Sequence, residues 1–187
     1  RTVQLGVLAS GTGTNLQAII DRIEAGTLSA RITAVISDLA DSGALARAKK
    51  HGLFHEHVAR ETFGSKAQFE KKILSTLRSR EVELVVLAGF MRVLSPVLIR
   101  AFPQHIMNIH PSLLPSFPGL HGIAQAFRHR VKITGCTVHF VEEQVDAGPI
   151  IIQAACPILE SDTEATLEER IHSLEHQIYP EAVQLYA

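Results

Sequence analysis

Asn108 and His110 stand two apart at the end of an apolar run, in "MNIHPSLLPSFPGLHG" (107–122). If that run is a strand, its period of two puts both side chains on one face. An amide donor and an imidazole side by side can both point at one developing oxyanion, the species formed when a nucleophile adds to a carbonyl. The prolines and glycines that follow forbid a helix and suggest a loop held for a reason. Alone, the pair also fits a strand end with His110 satisfied by a backbone carbonyl. Asp146, in "EEQVDAGPI", supplies a third group. A carboxylate returning toward His110 would favour the imidazolium, fix its ring and pass protons through water. Otherwise it is an ordinary solvated turn former.

A second cluster is "ASGTGTNLQ" (9–17), between a strand and a helix. Gly11 and Gly13 allow a tight turn. Thr14 and Asn15 set side-chain donors beside free backbone N–H groups, which is how a phosphate is cradled. A Gly-rich turn with no ligand fits the same residues. The third glycine of a dinucleotide loop is missing, and there is no Gly-Lys-Ser/Thr. Asp38 lies one position late for a ribose-reading acid, so a dinucleotide-binding module is disfavoured. His55 and His57 lack partners at metal-ligand spacing and read as solvent-facing strand residues. His139 reads as an ordinary strand residue. No GxSxG elbow is present.

These clusters need a scaffold, and the chain alternates short apolar runs with helical segments. Strands are expected at 3–9, 31–37, 54–59, 83–89 and 105–110. Helices are expected at 15–26, 43–52, 65–80 and 95–102, with Gly26 closing the first and Ser65 capping the third. This βαβα order predicts an α/β fold: a doubly wound, mostly parallel, Rossmann-like sheet with helices on both faces. After residue 122 the pattern changes to two strands, 133–141 and 148–158, close enough for a C-terminal antiparallel hairpin. A final helix spans 163–186, with Pro180 expected to kink or divide it. Ligands of such sheets bind beyond the C-terminal strand ends, where "SGTGTN", "GFMR", "NIHPSLLP" and "EEQVDAG" all fall.

Bulk properties agree with one domain over 1–187, with a phosphate-binding half to about 105 and a catalytic half from 106. The composition is 46% hydrophobic and 20% charged, with a net charge of -1. That leaves no basic footprint for nucleic acid. No apolar segment is long enough for a membrane span and no signal peptide is visible. Cys136 and Cys156 read as buried thiols in a reducing, cytoplasmic setting.

Together, "VLASGTGTNLQAII", "VVLAGFMRVLSP", "NIHPSLLPSFPGLHG", "GCTVHFVEEQVDAGPIIIQ" and "EERIHSLEHQIYP" resemble the phosphoribosylglycinamide formyltransferase family, within the formyl-folate transferases. The resemblance covers nearly the whole chain. It implies formyl transfer from 10-formyltetrahydrofolate, as co-substrate and without metal, to the amine of glycinamide ribonucleotide in purine biosynthesis. It further implies Asn108, His110 and Asp146 as the catalytic trio. Gly13, Thr14 and Asn15 would hold the ribonucleotide's phosphate. Met91 would stand where the two substrates meet, and Pro111 would line the glycinamide side. Glu175 would bind the ribose. Lys66, Met91, Arg92, Val93 and Leu94, with Asn108 and the loop Glu142, Glu143, Gln144, Val145 and Asp146, would face the folate. His172 stands where Gln or Lys is expected beside the phosphate or ribose. The implied partners are these small molecules, with a monomer or homodimer and neither nucleic acid nor membrane. Two relatives share the trio. The tRNA-formylating enzyme carries an added basic domain, and formyltetrahydrofolate deformylase, the alternative activity, usually carries an N-terminal regulatory one.

Overall fold

The computed structural model describes residues 1–187. The chain runs β1 (Val3–Ala9), α1 (Thr14–Glu24), β2 (Ala30–Ser37), α2 (Gly43–Lys50), β3 (His55–His57), α3 (Lys66–Ser79), β4 (Leu84–Leu87), α4 (Pro96–Ala101) and β5 (Ile106–His110). It continues through α5 (Gly122–Arg128), β6 (Ile133–Phe140), β7 (Ile150–Pro157) and α6 (Glu164–Tyr186). One seven-stranded sheet has the order β3-β2-β1-β4-β5-β6-β7. The first five strands pair in parallel. β6 and β7 are antiparallel, as the hairpin reading expected. Strand order reverses between β1 and β4, so a crevice opens at their C-terminal ends.

β4 is buried along its length because both sheet faces are covered. α1, α2 and α6 seal one face, around Leu16, Ile19, Ala48, Ile171 and Val183. α3 and α4 seal the other through Phe69, Ile73, Leu77 and Leu98. Capping follows the sequence signals. Ser42, Ser65 and Ser95 each accept a first-turn amide, and Pro96 opens α4. Beyond α1, Gly26 takes a left-handed turn that lets its N–H reach Ile23 O while Thr27 N–H reaches Arg22 O.

Two expectations are corrected. Pro180 does not divide the last helix: α6 is one element of 23 residues. The missing amide costs about 3 kcal/mol. Burial of Leu167, Ile171, Ile178, Tyr179, Ala182 and Val183 along that helix outweighs it. The third strand shrinks to His55–His57, exposed at the sheet edge. Residues 122–128, for which no element was expected, form α5.

Candidate functional site

β5 is the wall between two cavities. Its period of two sends Asn108 and His110 into one and Ile109 into the other, where Pro111 joins it. The first cavity, of about 270 Å³, is lined also by Met91, Arg92, Val93, Leu94 and residues 142–146. The second, of about 590 Å³, is lined by Gly13, Thr14, Asn15, Pro111, His172 and Glu175. Met91 lines both. The residues expected to serve two different ligands are thus sorted into two adjoining chambers.

His110 is buried, and its Nε2 lies 2.8 Å from the Phe117 carbonyl. A carbonyl only accepts, so Nε2 carries a hydrogen. Any proton on Nδ1 therefore makes the imidazolium. Nδ1 faces Asp146 Oδ2 at 3.6 Å, an ion-pair distance rather than a hydrogen bond. Asp146 sits at positive φ in the β6–β7 loop, and its Oδ2 accepts the Gly119 amide at 2.8 Å. Its side chain is only 8% exposed, so it is no solvated turn former. Gly148 closes that loop: a Cβ there would fall 1.8 Å from Phe140 O.

His139 belongs to this cluster, against the reading of it as an ordinary strand residue. It is the cross-strand partner of Asn108. Its Nδ1 donates to Phe140 O at 2.9 Å, and its Nε2 stands 3.8 Å from Asp146 Oδ1. That Nε2 is buried without a hydrogen-bond partner. Burial holds its pKa below the ordinary histidine value, opposed by the Phe140 carbonyl and the Asp146 charge. β6 pairs antiparallel with β5 and so carries "TVH" back past "NIH", whereas the sequence reading expected only the pairing of β6 with β7.

In the second cavity, α1 begins at Thr14 with Gly13 as N-cap and no capping side chain. Gln17 N–H is bonded to Gly13 O, whereas the amides before it in the first turn face outward unpaired. An uncapped N-terminus of an 11-residue helix favours an anion. Asn15 Nδ2 donates to Glu175 Oε2 at 3.4 Å, and Asn15 Oδ1 is buried without a partner. Glu175 is itself buried, and desolvation pushes its pKa up, against the nearby His172. His172 Nε2 lies 3.9 Å from Glu168 Oε1.

Three expected folate contacts need restating. Lys66 lines an adjoining hollow of about 260 Å³ with Arg60, sharing only the Phe90–Leu94 wall with the first cavity. Glu143 is taken by Arg100 Nε at 2.9 Å. Arg92 Nε is taken by Asp38 Oδ2 at 2.6 Å. That pairing also occupies the acid a dinucleotide site would need. A separate hollow of about 560 Å³ lies at the N-terminal ends of β1 and β2, beside Gln4, Arg31, His51 and Arg80. None of the sequence-predicted residues reaches it. Cys136 and Cys156 are free and buried, and burial raises the Cys136 pKa to about 12.

The family model described as Formyl transferase matches residues 3–183. The phosphoribosylglycinamide formyltransferase of Bacillus subtilis (strain 168) is 42% identical over 180 residues, covering 96% of this chain and 92% of that one. The trifunctional purine biosynthetic protein adenosine-3 of Homo sapiens is 43% identical over 187 residues, all of this chain but 18% of that one. The crystal structure of glycinamide ribonucleotide transformylase 1 from Symbiobacterium toebii superposes with a TM-score of 0.97. It is 49% identical and covers 99% of this chain and 87% of that one.

Proposed function

Because the chain belongs to the formyl transferase family, among the phosphoribosylglycinamide formyltransferases, we propose that it carries the formyl group of 10-formyltetrahydrofolate to the amine of 5'-phosphoribosylglycinamide. The observation that carries this reading is the pair of cavities meeting at Met91, with Asn108 and His110 on the wall between them. The smaller cavity takes the folate and the larger takes the ribonucleotide. The Gly13–Asn15 loop holds the phosphate, and Glu175 accepts from the ribose. His172 sits beside them, where the family resemblance expects Gln or Lys.

The amine attacks the formyl carbon directly, and the carbonyl electrons move to oxygen. The Asn108 amide and the Nδ1–H of protonated His110 stabilise that oxyanion. The Phe117 carbonyl fixes the ring by holding Nε2–H, and Asp146 supports the cation. Asp146 also moves a proton, through water, from the attacking nitrogen to the departing folate nitrogen. The reaction needs no covalent enzyme intermediate. The reading includes a cytoplasmic setting, and a monomer or homodimer with no nucleic acid or membrane partner. Within one domain, the phosphate half ends near 105 and the catalytic half begins near 106.

The test is consumption of 10-formyltetrahydrofolate with and without glycinamide ribonucleotide. Consumption only with the ribonucleotide is expected. Consumption at one rate in both cases would replace the transferase with a deformylase.

A further inference from the structure

We propose that Asp38 is a positioning residue for the folate side of the site: its carboxylate holds the Met91–Arg92 segment in place and so sets affinity for the formyl donor without touching either substrate. This rests on the function proposed above. Asp38 follows β2, and its side chain is 4% exposed. A carboxylate so buried is tolerated only when paired and hydrogen-bonded. Oδ1 accepts the Ser10 hydroxyl at 2.6 Å, and Oδ2 accepts Arg92 Nε–H at 2.6 Å. Ser10 Oγ accepts in turn from the Met91 amide at 3.0 Å. The Arg92 guanidinium also lies 5.6 Å from the Phe69 ring centre.

Residues 89–94 connect β4 to the cap of α4 without regular structure. Their hydrogen bonds to the rest of the chain end on Ser10 or Asp38, including Gly89 O, which accepts from Ser10 N–H. Asp38 and Ser10 thus hold the Gly89–Arg92 part of that segment, while the buried Glu70 carboxylate accepts the Ser95 amide at its far end. The phosphate loop is held elsewhere. Gly11 O accepts from Ala44 N–H at 3.2 Å and Thr12 O from Arg47 Nε–H at 2.8 Å, so α2 anchors that loop separately. Of the two cavities, Arg92, Val93 and Leu94 line only the folate one, while Gly89 and Met91 reach the ribonucleotide one, so weakening the carboxylate should loosen the folate chamber more than the other.

The experiment measures both KM values and the Kd for tetrahydrofolate by calorimetry, in wild type and Asp38→Asn. We expect KM for 10-formyltetrahydrofolate and the tetrahydrofolate Kd to rise about tenfold, as for loss of one charge-assisted hydrogen bond. KM for the ribonucleotide should change by no more than about twofold, since α2 anchors the phosphate loop and only Gly89 and Met91 of the held segment reach that cavity. A general loss of folded enzyme would lower kcat and leave both KM values alone. That result, or an equal rise in both, overturns the proposal. Should Asp38→Asn fail to fold, Ser10→Ala carries the test: it removes the Met91 acceptor and leaves Asp38–Arg92 intact. The same split, smaller in size, is expected, and no change in the folate Kd overturns the proposal. A wild-type protein that binds no tetrahydrofolate fails differently, because it removes the functional reading and this inference with it.

Discussion

Asn108 and His110 would act on the same oxygen, so each should be costly to lose and neither should replace the other. We expect Asn108→Ala and His110→Ala to lower kcat by about 10²–10³, the effect of removing one oxyanion donor. A rate within about threefold of wild type in either variant, measured by formyl transfer, would break the assignment. Asp146→Asn removes the charge facing His110 and His139 but leaves an oxygen for the Gly119 amide. Its residual activity should show a shifted pH–rate profile, and an unchanged profile would remove the support of the imidazolium. At this scale the shared face of Asn108 and His110 was legible from the strand period, and the approach of Asp146 to His110 was one of two readings of its loop. His139 was not legible, because one polar residue in a β-branched run looks the same whether it faces a core or a carboxylate. Its place beside Asp146 depends on the β5–β6 register, a long-range pairing that no local pattern specifies.

The elements do their work through where they start. The phosphate loop is packed under α2: a Cβ on Gly43 would fall 2.5 Å from Thr12 O, which is backbone and cannot swing away. Gly43→Ala should therefore push the loop or the helix. We expect a loss of about 1–3 kcal/mol by thermal unfolding, the usual cost of overpacking. KM for the ribonucleotide should rise with the folate KM unchanged, the mirror image of the split expected at Asp38. Gly43→Ala with both constants and the melting temperature intact would contradict the contact. Most elements were legible from periodicity and caps, since Gly26 follows α1 and Ser65 caps α3 as expected. α5 was not. It has seven residues, follows a Pro-Gly loop and starts from His121 in a left-handed conformation with no side-chain cap. Pro180 misled for the converse reason, because a local rule met a helix held by tertiary burial.

For the molecule as a whole, the site is a place where stability is given up. Glu175 is buried with its pKa raised by desolvation. His139 and His176 are held below the ordinary histidine value by burial. The signs are opposite. The unfolded chain takes protons on its histidines first as pH falls through the ordinary histidine value of 6.5, so the histidine contribution is lost on acidification. The folded state binds the Glu175 proton more tightly than the unfolded chain. Ionising Glu175 therefore costs stability as pH rises above 4.5, until its folded pKa is passed. Glu175→Gln should raise the melting temperature at pH 8, with the gain vanishing toward pH 4, below the ordinary carboxylate value. His176→Gln should flatten the fall in melting temperature below about pH 6.5. The two variants separate the opposing terms, because only the first lines the ribonucleotide cavity. If the buried carboxylate is kept to accept from the ribose, Glu175→Gln gains stability and loses ribonucleotide affinity together, a trade expected where function strains a fold. A more stable Glu175→Gln with an unchanged ribonucleotide KM would sever that link and return Glu175 to a purely structural partner of Asn15.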